Sequence, residues 1–483
     1  MNHILQYIFP SLIWLFSLSI SLRILTKKQS ISVTLSWILI IYLIPIVGIL
    51  AYLLLGEIRL GKQRAQQIRY LAPKYNNWLS QLYKHPNLVE TEQSLYYKSL
   101  FQLCSQRLNI PCIVGNELHI LSTPEQIFRS LIDDIQQAKE SINMVFYIWQ
   151  QGGLINEVEE ALLIAVQRGI KINILLDSVG SRTFFRSASY QRLNNAGINI
   201  KEAIHVNIFR FFLQRLDLRQ HRKIVVIDNQ IAYTGSMNMV DPNYFKQTAN
   251  VGQWIDLMVR INGPVSAILN VLHSWDWEIE SNTALPLNIP NTTYLPLEKD
   301  NSHAVQVLAT GPGFPEDLMS QSLLTAIFAA RRSISITTPY FVPSQTILEA
   351  LHIAALRGVK IDIILPQKSD SVMVHWASRM LFEELLKAGI EIHLFNNDLL
   401  HTKSILIDDR LVLVGTVNMD VRSFTLNLEV TTIVEDPSFA NEISQLHCQY
   451  LQKTESLNLK QWQKRPFYHR ILEHFFFFFS PLL

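Results

Sequence analysis

HRKIVVIDNQIAYTGSMN, residues 221–238, returns as HTKSILIDDRLVLVGTVN at 401–418. His221, Lys223 and Asp228 recur as His401, Lys403 and Asp408, each 180 residues later, and Gly235 recurs as Gly415. Residues i and i+2 of a β-strand share a face, so the histidine and lysine of each copy project side by side. The positions that follow, Ile224 to Ile227 and Ile405 to Ile407, are apolar on both faces, which predicts strands buried in a covered sheet. The chain then turns at Asp228-Asn229 or Asp408-Asp409. A second strand, IAYTG or LVLVG, runs back and delivers Ser236 and Asn238, or Thr416 and Asn418, to the same end.

The echo spreads outward from these strands. AKESINMVFYIW (138–149) answers ARRSISITTPYF (330–341), EEALLIAVQRGIKINILLD (159–177) answers LEALHIAALRGVKIDIILP (348–366), and AGINI (196–200) answers AGIEI (388–392). Each set reads as strand, helix ending in Arg-Gly, strand, helix ending in Ala-Gly and strand, with the glycines suited to helix C-termini. This is α/β alternation, duplicated in units too long for a solenoid repeat. The expected domains are residues 116–285 and 300–455, separated by the Pro-, Asn- and Thr-rich stretch near 282–300, with a tail at 456–483. Residues 57–115 read as a polar-amphipathic helical linker region.

Apolar residues make up 48% of the 483, and the surplus sits at the start. Ile4–Leu22 is nearly free of charge and Leu35–Leu55 has none. As helices they would be roughly 28 and 31 Å long, against about 30 Å of hydrocarbon in a bilayer. The expectation is a transmembrane hairpin over residues 1–56, with Pro45 and Gly48 tolerated inside it. Arg23, Lys27 and Lys28 lie between the runs, whereas Arg59, Lys62, Arg64 and Arg69 follow the second, a bias that places the main body on the cytoplasmic side. The near-neutral net charge of +2 gives no field for nucleic acid, and three cysteines without close spacing argue against a disulfide framework or zinc cluster.

Imidazole, ammonium, hydroxyl and amide together suit a phosphoryl group. Lys223 and Lys403 supply cations, Ser236, Thr416, Asn238 and Asn418 neutral donors, and His221 and His401 a nucleophile and an acid–base group. A divalent metal fits poorly beside a lysine at i+2. Breaking a phosphodiester needs a nucleophile on one side and a proton donor on the other, so the two histidines are expected to face each other across one phosphorus with their pKa values pushed apart. Asp256 and Glu429 are carboxylates available to orient them. One copy carries a longer stretch before its histidine, VNIFRFFLQRLDLRQ (206–220), whose Phe209, Phe211, Phe212, Arg210, Arg215 and Arg219 read either as an interfacial loop or as an ordinary surface loop.

These motifs resemble the phospholipase D superfamily, marked by H-x-K-x4-D followed by G-[ST] and asparagine, twice per site. The resemblance covers roughly residues 110–455. More narrowly the chain is similar to the bacterial cardiolipin synthases, on the N-terminal IPIVGILAYLLLG, DSVGS (177–181), YTGSMNMVDPNYFKQ (233–247), TPYFVP (338–343) and the C-terminal SPLL. The run FFFFF (475–479) before it is unusual. The resemblance implies two pseudo-symmetric α/β domains sharing one site, and a ping-pong transfer needing neither metal nor nucleotide. One histidine attacks phosphatidylglycerol, glycerol leaves, and a second phosphatidylglycerol takes the phosphatidyl group to give cardiolipin. It implies His221 as nucleophile and His401 as acid then base, and Lys223, Lys403, Asn238 and Asn418 around the phosphate. Asp256 would orient His221 and Glu429 His401, with Asp228 and Asp408 structural or charge-balancing. The catalytic residues alone leave open a hydrolase, a transferase to another alcohol, or a nuclease.

Overall fold

The computed structural model describes residues 2–27, 31–57, 61–84, 96–205, 215, 217–246, 249–289 and 302–480. The chain divides into two compact units, Met1–Gln67 with Val206–Leu218, and Ile68–His205 with Arg219–Leu483. In the first unit, helices run over Asn2–Leu25, Ile31–Leu43 and Pro45–Leu55. The second apolar run is therefore two helices and not one. Ile44, with φ −135° and ψ 77°, leaves the helical region because the ring of Pro45 disfavours it there. Ile20, Ile24, Ile41 and Tyr52 pack together, while Leu12, Trp14, Leu15, Phe16, Leu35, Leu39 and Leu43 are exposed. Arg23 pairs with Glu57 at 2.7 Å, and the Tyr52 hydroxyl donates to the same carboxylate. Among the described residues no helix is long and apolar enough to cross a membrane. The aromatic stretch 206–214 lies outside the described residues, as does most of the Pro-, Asn- and Thr-rich stretch.

In the second unit the strands are β1 (Ile113–Leu121), β2 (Ser141–Phe146), β3 (Lys171–Asp177), β4 (Asn199–Ala203), β5 (Ile224–Ile227), β6 (Ile231–Gly235), β7 (Trp254–Ile255) and β8 (Met258–Asn262) in the first repeat. The second repeat carries β9 (His303–Thr310), β10 (Ser333–Thr337), β11 (Phe341–Val342), β12 (Lys360–Pro366), β13 (Glu391–Phe395), β14 (Leu399–Leu400), β15 (Ser404–Ile407), β16 (Leu411–Gly415), β17 (Met419–Asp420), β18 (Glu429–Glu435) and β19 (Thr454–Ser456). One fifteen-stranded sheet runs β19-β13-β12-β10-β15-β16-β18-β9-β1-β8-β6-β5-β2-β3-β4. Outward from the antiparallel β9–β1 seam the order is equivalent on both sides, with β19 added at one edge. The duplication thus folds as two halves of a single continuous sheet.

The expected strands β5 and β15 are buried throughout. Asp228-Asn229 and Asp408-Asp409 adopt positive φ, 52° and 57°, 55° and 51°, which is the tight hairpin turn that short polar side chains tolerate. The Arg-Gly endings also gain a reason. Arg168 donates to the carbonyls of Ile135 and Gln136, and Arg357 to those of Ile327 and Ala330, so each guanidinium covers the exposed end of the preceding helix.

Helices Lys62–Leu82 and Lys98–Leu108 lie in the region read as helical. At the other end, the helix Phe467–Phe477 packs on the helix Val372–Lys387, with Phe476 and Phe477 against Val342, Val374 and Ala377. Phe467, Tyr468, Ile471, Phe475 and Phe478 are exposed and fall on its opposite side at 3.6 residues per turn.

Candidate active site

One two-residue parallel strand pair, β14 with β7, and one isolated parallel bridge, Gln220 with Leu428, set the site. The backbone N–H of His221 donates to the carbonyl of Leu428 in the second repeat, and that of His401 donates to Ile255 in the first, where β14 pairs with β7. Each histidine is therefore held against the strand that enters the opposite repeat's carboxylate. His221 Nδ1 lies 2.8 Å from Glu429 Oε1, and His401 Nδ1 lies 2.6 Å from Asp256 Oδ1. This corrects the assignment implied by the resemblance, in which Asp256 served His221 and Glu429 served His401. The carboxylates cross between repeats because the backbone pairing crosses first.

Ser236 and Thr416 spend their hydroxyls on these carboxylates rather than on the cavity. Ser236 Oγ donates to Asp256 at 2.6 Å, and Thr416 Oγ1 donates to Glu429. The preceding glycines make this approach possible. A Cβ on Gly235 would stand 2.2 Å from the carbonyl oxygen of Leu257, and one on Gly415 2.3 Å from that of Val430. Asn427 adds a donor to Glu429 at 3.2 Å, and Trp254 lies over His401 with ring centroids 4.3 Å apart. Asn427 and Trp254 each stand two residues before an orienting carboxylate in the chain.

Lys223 and Lys403 are buried behind the imidazoles, each donating to the backbone carbonyl of its own histidine, at 2.7 and 2.6 Å. Asn238 and Asn418 line the cavity, and Asn238 Oδ1 accepts from the Ile148 amide at 3.2 Å. Asp228 and Asp408 are elsewhere. Asp228 accepts from the amides of Lys139, Glu140 and Ser141, and Asp408 from those of Arg331, Arg332 and Ser333, all at the far end of β5 and β15. They anchor the hairpin to the start of the neighbouring strand, so the geometry removes them from the reacting group and keeps only the structural role.

Burial pushes His221 down to about 4; Glu429 opposes the shift, and Lys223 and Lys403 add to it. Burial likewise takes His401 to about 4, against Asp256 and with both lysines. The expectation of separated pKa values is thus not met in the free site, because the two surroundings are near copies. Burial lowers Lys223 to about 8 and Lys403 to about 7. Although burial opposes it, Glu429 and Asp256 are held below the usual carboxylate range by the imidazoles and lysines they face. Each pair is thus a carboxylate and a neutral imidazole whose Nδ1 carries the proton, leaving the Nε2 lone pair for the cavity.

That cavity is about 590 Å³, and both histidines line it with Asn238 and Asn418. At the His221 end stand Tyr147, whose ring is 5.3 Å from the imidazole, with Arg219, Arg422 and Asn427. At the His401 end stand Trp254, Phe245, Tyr340 and an ion pair of Lys246 with Asp370 at 3.0 Å. The only group of histidine, cysteine and acidic side chains with metal-ligand spacing among the described residues, Asp362, Glu391 and His393, lies away from this cavity.

The family model described as cardiolipin synthase, PLD-like domain, matches residues 131–261 and again 323–450. A model of the phospholipase D-nuclease N-terminal region matches residues 12–57. Cardiolipin synthase A of Serratia proteamaculans is 49% identical over 470 residues, covering 97% of both chains. Its counterpart in Yersinia pseudotuberculosis is 48% identical over the same span, again 97% of each. Among solved structures, phosphatidylserine synthase from Haemophilus influenzae shares the fold with a TM-score of 0.57 at 16% identity, over 79% of this chain and 98% of that one. Two matched domains and near-full-length likeness together show that this chain belongs to the cardiolipin synthase family of phospholipase D-like proteins.

Proposed function

We infer that this chain is a phosphatidyltransferase that joins two phosphatidylglycerol molecules into cardiolipin and releases glycerol, through a phosphatidyl-histidine. The observation that carries the reading is the crossed pair of carboxylate–imidazole couples turned into one cavity. A phosphodiester at its centre meets a neutral Nε2 as nucleophile on one side and an imidazole on the other that gives its proton to the leaving oxygen. The same imidazole then takes a proton from the incoming hydroxyl, which attacks phosphorus and frees the first imidazole. Lys223 and Lys403 offset the phosphate charge from behind, while Asn238 and Asn418 hold its oxygens. Burial and the two lysines keep both imidazoles neutral; the arriving anion offsets the lysines' repulsion and so favours protonation of the acid.

One phosphodiester replaces another, so the exchange needs no energy input. Its hazard is water, which would intercept the intermediate and yield phosphatidic acid. Work at a lipid surface reduces that loss. The exposed apolar side of the helix Phe467–Phe477, whose inner side packs on the cavity-lining Val374, supports such a location. So do the exposed apolar side chains of the N-terminal helices. We place the chain at the cell membrane, anchored through residues 1–56 as a multi-pass segment, with the catalytic halves on the cytoplasmic face by the bias of basic residues. Nucleic acid is not expected as a substrate.

The test is incubation of purified protein with labelled phosphatidylglycerol, without added metal or nucleotide, followed by separation of the lipids. Cardiolipin and free glycerol in equal amounts are expected. Phosphatidic acid as the sole lipid product would replace the transferase reading with a hydrolase.

A further inference from the structure

The helix Phe467–Phe477, with its C-cap Phe478, turns five large apolar side chains outward. Phe467, Tyr468, Ile471, Phe475 and Phe478 are from 51% to 75% exposed. At 3.6 residues per turn they fall within about 100° of arc, one continuous stripe. The other side of the helix is already occupied. Glu473 is buried and pairs with Arg465 at 2.9 Å, and Arg465 also reaches Glu383 at 3.1 Å. Phe476 and Phe477 pack against Val374 and Ala377, and the rings of His469 and Trp376 stand 5.2 Å apart. These contacts fix the helix on Val372–Lys387, so the stripe cannot turn inward without breaking them. The run Phe475–Phe479 thus serves both faces, with Phe476 and Phe477 inward and Phe475 and Phe478 outward.

Charge is sorted in the same way. Over residues 457–480 the basic side chains are Lys460, Lys464, Arg465 and Arg470, and Glu473 is the one acid. Lys460 and Lys464 are exposed just before the helix, and Arg470 borders the stripe. Among the described residues no carboxylate pairs with any of these three. The Phe-rich end of the helix is also the end that reaches the catalytic cavity. Val374 and Ser371 line that cavity, and Val372 beside them is exposed at its rim. Val179 of the first repeat lines it too and is likewise exposed.

An apolar stripe edged by cations and clear of acids suits a helix lying in a headgroup layer, with rings among the acyl chains and cations at the phosphates. Self-association through the stripe would instead crowd like charges of two copies. We propose that this helix docks the catalytic halves on a phospholipid leaflet, as a second membrane contact independent of residues 1–56. The contact holds the rim at Val372 and Val374 to the lipid surface, so a lipid substrate enters the cavity from the leaflet without crossing water.

The test uses the full chain in vesicles of phosphatidylcholine and phosphatidylglycerol. Cys448 is the exposed cysteine, whereas Cys104 and Cys112 are buried, so Cys448→Ser supplies the background. Ile471→Cys or Phe475→Cys then carries a bimane label. The control label sits at Gln167→Cys, an exposed position that precedes β3 at the end away from cavity-lining Val179. Doxyl-labelled lipid should quench the first two by about half or more and leave the control unchanged. Absence of quenching at 471 and 475 overturns the contact. So does a disulfide between two copies of the unlabelled Ile471→Cys chain, which would put a second chain on the stripe.

The rate arm rests on the proposed reaction. The variant Phe467→Ser, Ile471→Ser, Phe475→Ser, Phe478→Ser should make cardiolipin about tenfold more slowly from bilayer phosphatidylglycerol. On short-chain phosphatidylglycerol supplied from water it should stay within about twofold of the wild type, which shows that it folds. Equal loss on both substrates, or loss on neither, overturns the docking role. Wild-type protein whose labels are quenched but which forms no cardiolipin from either substrate refutes the proposed function and leaves the docking standing, so the two failures are distinct.

Discussion

The crossed carboxylates permit a sharp test, the replacement of Asp256 by Asn. Asp256 belongs to the first repeat by sequence, yet its Oδ1 stands 2.6 Å from Nδ1 of His401 in the second, and both groups are buried. Asparagine keeps the shape and removes the charge. Two unit charges about 4 Å apart at an effective dielectric near 20 interact by about 4 kcal/mol, and loss of one charge-assisted hydrogen bond costs about 1.5–3 kcal/mol. The amide can also donate to Nδ1, which would put the proton on Nε2 and remove the lone pair that His401 turns to the cavity. A fall in kcat of roughly 30- to 1000-fold is therefore expected, without loss of folded protein. The assay that reads the pairing is NMR of ¹⁵N-histidine-labelled protein in detergent micelles, following the Nδ1–H protons bonded to carboxylate. Asp256→Asn should erase the signal of His401 and leave that of His221, and Glu429→Gln should do the opposite. If Asp256→Asn erases the His221 signal instead, the crossing is refuted and each repeat serves its own histidine.

Replacing Asp228 or Asp408 by Ala removes the acceptor for three backbone amides, so the apparent Tm should fall by roughly 3–6 °C, while kcat of the folded fraction stays near the wild-type value. Thr416→Val leaves one oxygen of Glu429 without its hydroxyl donor and should cost about tenfold in kcat, measured as cardiolipin formed per minute at saturating lipid. Lys403 and Lys223, lowered to about 7 and about 8, keep their charge below those values and lose it above. Accordingly kcat/KM for phosphatidylglycerol should decline as pH rises through that interval, well below the range of an exposed lysine; a profile flat to pH 9 would contradict their role in countering the phosphate.

The duplicated strands were legible because burial and catalysis write on the same residues. Four apolar positions in a row after His221-x-Lys223, and three after Ser404 in the copy, demand a covered strand, and the pair Asp228-Asn229 can turn where bulkier residues cannot. Strand geometry could also have removed Asp228 and Asp408 from the chemistry, since they and the histidines bracket the strand from opposite ends. The exchange of Asp256 and Glu429 was not legible. It depends on which two-residue strand pairs with β7, a contact spanning 145 residues between Asp256 and His401 that no periodicity within one repeat records. The break before Pro45 was foreseeable from the proline alone, yet average apolarity over Leu35–Leu55 hides it.

A duplicated machine has one difficulty that its two halves cannot resolve by themselves. Nucleophile and acid must differ in protonation, but equivalent burial, equivalent carboxylates and equivalent lysines bring His221 and His401 to the same value, about 4. A difference must therefore come from outside the repeated motif, either from the substrate or from residues that the copies do not share. In the proposed reaction the substrate supplies it: burial and the two lysines disfavour an imidazolium at either histidine, and the phosphodiester that enters between them brings the negative charge that favours one. Which imidazole holds that proton then follows from the side on which the leaving oxygen stands, so the two near-equivalent halves take different parts only once a lipid is bound.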